Sequence, residues 1–220
     1  MEKQKFEVKK EFFEKIFKEC LDENFDKINH YLQVESVLFS ELNAKIFEIC
    51  KCIMCNSYNA SITLTNHVLE RLLKLALIAN ETGIEPVDAN LWNDHFEQPH
   101  KNYTDKTLGN TIELCKKHDL ISQQEKDYLF DKVREQIRNG FSHSDSDKIL
   151  VENEEFTTMF KVSLTNLNDI TPVKMNLKNI PILQSIQMED FAKENAIKYF
   201  DFVFTLISNI ENKLYEKFKK

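Results

Sequence analysis

The sequence predicts an all-α fold, a helical bundle of four to five main helices with an N-terminal helical extension. Apolar residues recur at spacings of three and four through most of the 220 positions, with lysine and glutamate between them. Only three glycines and four prolines occur, too few for the turns of a β-sandwich or for a Gly-rich phosphate loop. A chain of this length with 42% hydrophobic and 30% charged residues forms one domain with a sizeable core, or one domain with an added arm.

From Phe6 to about Ile28 the residues Val8, Phe12, Phe13, Ile16, Phe17, Cys20, Leu21 and Phe25 make one apolar face. A second helix is expected from about Gln33 to Met54, packed on the first. Residues 60–79 are apolar on two sides, as a central helix requires, and Gly83 with Pro86 ends them. Residues 84–106 hold Pro86, Pro99, three asparagines and aromatics without a period, which predicts a long loop. Helix returns at about Thr107–His118. It starts again at Ser122, where Ser-Gln-Gln-Glu places a capping box with Glu125 at its third helical position. That helix is expected to run to Arg138 or Asn139 and to stop at a left-handed Gly140. A short β-hairpin is expected near 149–164, from Ile149–Val151 and Thr157–Leu164. Pro172 and Pro181 should bracket a loop, and a long closing helix should follow from Met188. The organisation read from this is an extension over residues 1–32 and a helical domain over 33–220.

Composition narrows the function. A net charge of −7 gives no overall cationic field for nucleic acid or anionic lipid, so any such partner needs a local patch. Of the 29 basic residues only Arg71, Arg134 and Arg138 are arginine. The lysine-rich, asparagine-rich balance matches the output of an AT-rich genome, so the arginines are the informative cations. The first residues carry no apolar leader core and no run approaches the roughly eighteen apolar residues of a membrane span. With five cysteines, an odd number, a cytoplasmic protein without membrane attachment is expected.

The sharpest local feature is Arg138-Asn139-Gly140-Phe141-Ser142-His143. An arginine fork grips a phosphate bidentately, and histidine moves a proton near neutral pH. In RNA the ribose 2′-hydroxyl is an internal nucleophile, so a proton shuttle and a cation for the developing charge suffice for cleavage, with neither metal nor cofactor required. The same residues also read as a cation at a helix C-terminus followed by a surface histidine.

With Arg138, Asn139 and His143 in the phrase IRNGFSH, the chain resembles the HEPN family, whose members carry an Arg-x(4–6)-His motif with a polar residue after the arginine. The helices HVLERLLKLALI and AKENAIKYFDFVFTLI look similar too, and the resemblance covers roughly residues 33–215. It implies a helical bundle that forms a homodimer, with two Arg138/His143 sets facing one cleft as a composite, metal-independent endoribonuclease site. It further implies a prokaryotic antiphage-defence effector or toxin with a neutralising partner protein; other members keep the fold as a binding module. By that likeness Arg138 holds the scissile phosphate, His143 transfers the proton and Asn139 orients one of them. Lys132, Arg134, Ser142 and Lys148 stand nearby as substrate-binding candidates. Asp145 and Asp147 either orient the imidazole or repel RNA.

Other clusters have plainer readings. Cys50, Cys52 and Cys55 lie within a helical apolar run, where cysteine serves as a small core residue. Glu70 and Arg71 read as bundle-pairing or solvated charges, with Glu70 near enough in the pattern to approach the site. His95 and His100 are expected on an exposed loop.

Overall fold

The computed structural model describes residues 9–142, 156–163, 166–176 and 180–219. The fold is all-α, with one two-stranded hairpin among the described residues. Helix α1 spans Lys10–Ile28, α2 Asn43–Met54, α3 Tyr58–Thr82, α4 Trp92–Thr104 and α5 Leu108–Lys117. Then come α6, Gln123–Tyr128, a π-helical segment at Leu129–Arg138 and α7, Asn139–Ser142. Strands β1 (Phe156–Ser163) and β2 (Asn166–Asn176) precede the closing helix α8, Pro181–Phe218.

Helices α3 and α8 are the core pair. They run in the same direction, because Tyr199 Oη donates to Asn66 Oδ1 at 2.7 Å and, farther along both, Lys217 Nζ donates to Asn80 Oδ1 at 2.5 Å. Leu69, Leu72, Leu73, Phe200, Val203 and Ile210 are buried between them and the surrounding helices. This two-sided burial is why residues 60–79 carry apolar side chains nearly all round. Gly83 ends α3 at φ +83°, a conformation that glycine reaches without strain.

The second helix is shorter than expected. Short 3₁₀ turns at Asn29–Leu32 and Ser40–Leu42 replace its first part, because side chains satisfy the backbone there instead. Glu211 on α8 accepts from Ser36 Oγ at 2.6 Å and from the Leu38 amide at 2.8 Å, while Asn43 and Ser36 exchange two further bonds.

Residues 84–106 are not one long loop. They contain α4 with Pro99 inside it, the helix's one buried residue. A helix that buries so little shows no apolar period. It is held by polar anchors to α3: Tyr103 Oη donates to Glu81 Oε2 at 2.7 Å, and Lys74 Nζ to the Thr104 carbonyl.

The capping box forms as the spacing predicts. The Glu125 amide donates to Ser122 Oγ at 3.1 Å, and the Ser122 amide to Glu125 Oε2 at 2.6 Å. Burial pushes the Glu125 carboxyl up, but its bonds from Ser122 and Asn209 and the Lys213 ammonium outweigh that and hold it below its ordinary value.

Beyond α6, Gly140 does not stop the helix. It is a buried residue inside α7, so the chain continues helically from Gln123 to Ser142 through the π segment.

The hairpin also lies later than expected. Thr157–Leu164 largely coincides with β1, but β1 pairs antiparallel with β2, Phe156 opposite Asn176 and Phe160 opposite Pro172. Ile149–Val151 lie outside the described residues. Pro172 therefore sits in a strand rather than beside a loop. A two-stranded ribbon is all edge, where a missing amide is tolerated. Pro181 opens α8 in its first turn, a position suited to its fixed φ. The helix begins before Met188, and its first turns give no core period because Ile182 and Ile186 stand exposed.

Gly109, in the first turn of α5, faces the Arg134 guanidinium. A methyl group there would meet Arg134 Cζ at 3.4 Å, ordinary van der Waals contact. Gly109→Ala is thus expected to raise stability by roughly 0.5 kcal/mol through reduced unfolded-state entropy, read as a higher denaturant midpoint with an unchanged slope.

Candidate functional site

The segment bearing Arg138 and Asn139 is laid against α8 in the opposite direction. Asn209 Nδ2 donates to Glu125 Oε1 at 2.9 Å, the Tyr128 and Phe202 rings stand 4.3 Å apart, and Phe141 meets Phe191 at 5.9 Å. Leu129, Val133 and Ile137, four residues apart, are all buried and fix this segment to the core. The main chain of Arg138 and Asn139 therefore lies between the Tyr128–Phe202 and Phe141–Phe191 contacts.

On the face of α8 turned away from Phe191, Asp190 and Ala192 line a cleft of about 520 Å³ at the start of α3. Asn56, Ser57 and Tyr58, together with Glu23, Glu189 and Lys193, line it as well. Helix α3 presents its positive end here, since Ser57 at its N-cap makes no side-chain cap bond. Three carboxylates and one ammonium surround that end, so the cleft combines a helix dipole with acidic walls. Sequence reading missed these residues. They come from α1, the α2–α3 turn and α8, with no local spacing to connect them.

The sequence-derived candidates divide as follows. Arg138, Asn139 and Ser142 are placed by their main chain, at the end of the π segment and in α7. His143, Lys148, Asp145 and Asp147 lie outside the described residues. Lys132 is exposed. Arg134 lies over the Phe130 ring, 5.3 Å from its centroid, and against Gly109 of α5.

Glu70 is half-buried and lines a smaller cleft of about 220 Å³ between α3 and α4, with His67, Arg71, Lys74 and His100. There Arg71 Nε donates to Glu41 Oε1 at 2.7 Å, and both partners are largely exposed, so the pair contributes little to stability. His95 and His100 are carried by α4 rather than by a loop.

Between α3 and α8, the buried Tyr199–Asn66 pair is a second feature without a sequence signal. Burial, then Tyr128 and Glu70, hold the Tyr199 hydroxyl far above its ordinary pKa, so it stays a neutral donor. Among the described residues Asn66 Nδ2 is buried without a partner, a group that costs stability unless something meets it.

The three α2 cysteines point apart: Cys50 is buried, Cys52 half-buried and Cys55 exposed at the helix end. Burial pushes the Cys50 thiol up to about 11 and that of Cys115 up to about 12, so both are protonated core residues at neutral pH. Among the described residues no helix is long and apolar enough to cross a membrane. No protein-family model matches the chain, and neither the curated proteins nor the solved structures compared with it give a match.

Proposed function

We propose that this chain is a metal-independent endoribonuclease of the HEPN type, acting in the cytoplasm as an antiphage-defence effector or toxin. The observation that carries the reading is the position of the Arg138–Ser142 segment. It ends a π-helical stretch, a local geometry frequent at functional sites, and docks on α8 through Phe141 on Phe191.

In this reading Arg138 binds the scissile phosphate and His143 takes the proton from the ribose 2′-hydroxyl. The 2′-oxygen bonds to phosphorus, the bond to the 5′-oxygen breaks as His143 passes its proton to that oxygen, and a 2′,3′-cyclic phosphate and a 5′-hydroxyl result. Asn139 orients one of the two side chains, while Lys132, Arg134, Ser142 and Lys148 contact the substrate strand. A second copy completes the site, and a partner protein neutralises it. The net charge of −7 requires the attraction for RNA to be local.

Incubating total RNA with the full chain in chelator tests this. Fragments ending in cyclic phosphate are expected, and RNA left intact across salt and pH would overturn it. Glu23, Glu189 and Asp190 around the cleft favour a second reading, a catalytically inactive HEPN-like module that binds protein or nucleotide.

A further inference from the structure

Helix α1 holds an apolar surface that nothing else in the described fold covers. Its buried side is narrow, made of Cys20, Asn24 and Ile28 near its C-terminal end. Beside it, Phe12, Phe13, Phe17, Leu21 and Phe25 are each 43–58% exposed. Phe13 stacks on Phe17 at 6.1 Å, so the stripe is preformed. Such a contiguous patch is at the upper end of what a soluble monomer leaves open.

The stripe has the symmetry of a self-complementary surface. Phe13, Phe17, Leu21 and Phe25 follow one another at intervals of four. An antiparallel second copy turned about a two-fold axis near Glu19 sets Phe13 opposite Phe25 and Phe17 opposite Leu21, in both directions at once.

The charges have the matching polarity. Residues 9–18 carry four lysines and two glutamates, a net +2, while residues 19–28 carry four acids and one lysine, a net −3. This net polarity runs against the helix macrodipole, so the helix's own field does not account for it. Antiparallel pairing puts each basic half against an acidic half.

The area is that of a weak, reversible association. The half-exposed Phe13, Phe17 and Phe25, at about 200 Å² each, and Leu21 amount to roughly 400 Å² per copy. Two copies thus bury roughly 800 Å² of apolar surface, short of the roughly 1,000 Å² of a stable specific interface, and the paired charges add to it. We infer that α1 is a docking helix on which a second copy of this chain pairs antiparallel through Phe13, Phe17, Leu21 and Phe25. A lipid surface fits the same stripe less well, because α1 is slightly acidic overall, whereas interfacial helices on anionic membranes are lysine-rich on their polar face. The pairing would supply the second copy that the ribonuclease reading needs, yet it does not rest on that reading.

Sedimentation of the full chain over a range of concentrations is the test. Wild type is expected to form a reversible dimer, and Phe13→Glu with Phe17→Glu to shift the dissociation constant at least about 100-fold while helicity and melting stay unchanged. Lys18 adjoins Phe17 and Asp22 adjoins Leu21. Lys18→Glu and Asp22→Lys should each weaken the dimer, and an equimolar mixture of the two should associate more tightly than either alone. A wild-type monomer throughout overturns the inference. So does a dimer indifferent to the Phe variant, or a monomer that instead sediments with phosphatidylserine vesicles through Phe13 and Phe17. None of these readings involves RNA cleavage, so failure here and failure of the ribonuclease assignment are separately visible.

Discussion

Arg138→Ala is expected to lower RNA cleavage by about 100-fold to 1,000-fold, the loss usual when one donor to a developing oxyanion is removed. His143→Ala should lose about 100-fold to 10,000-fold, the range for a positioned proton-transfer group. If the two act on one transition state, the double variant will be little worse than the poorer single one, because effects within one catalytic unit are not additive. Arg138→Lys separates charge from geometry. An ammonium keeps the positive charge but cannot grip two phosphate oxygens in a plane, so intermediate activity is expected. Core side chains anchor the segment, Leu129, Val133 and Ile137 being buried and Phe141 lying on Phe191, so neither change should alter the fold. Circular dichroism and melting are the controls. Undiminished cleavage by both folded single variants would remove these residues from the mechanism.

Phe200→Ala is the substitution expected to harm stability most, by about 3–5 kcal/mol. Phe200 is fully buried on α8, where its ring meets Tyr31 edge-on at 4.8 Å and lies 6.0 Å from Phe204. Truncation removes this contact and leaves a cavity between α8 and the turn after α1. For a chain of this size the melting temperature should fall by roughly 10 °C or more. Tyr31→Phe is the informative comparison. It deletes only the bond from Tyr31 Oη to Asp201 Oδ1, 2.8 Å long, and should cost about 1 kcal/mol. If the two variants proved equally destabilised, the joint would be held by the polar bond rather than by ring packing.

Much of the bundle was legible because burial writes itself into spacing. Helix α3, covered on two sides, shows apolar residues all round, and Gly83 and Ser122 mark their helix ends through chemistry confined to a few neighbouring residues. Where burial is slight, the signal fails. Helix α4 has one buried residue and is tied to α3 by Glu81 and Lys74, and the first turns of α8 expose Ile182 and Ile186. The opposite error arose at residues 33–42, whose apolar pattern suits a helix. Glu211, distant in sequence, captures the Ser36 hydroxyl and the Leu38 amide there and holds a non-helical course.

The candidate site divides along the same line. The pattern Arg138, Asn139, His143 is local and can be read directly, as can the scarcity of arginine that makes it notable. Its neighbourhood cannot. Gly140, a natural helix stop by composition, is buried within α7 as the chain continues down α8. A cleft apart from the motif is no more legible, since its lining residues Glu23, Tyr58, Asp190 and Lys193 meet only because α1, the start of α3 and α8 pack together. The sequence by itself determined the helical class, the helix ends set by local caps and the one motif with chemistry in it, since each depends on side chains a few positions apart. Tertiary structure alone decided the company that motif keeps and the face of α1 left uncovered. Both follow from which distant helices exclude water from one another, and no local spacing records that.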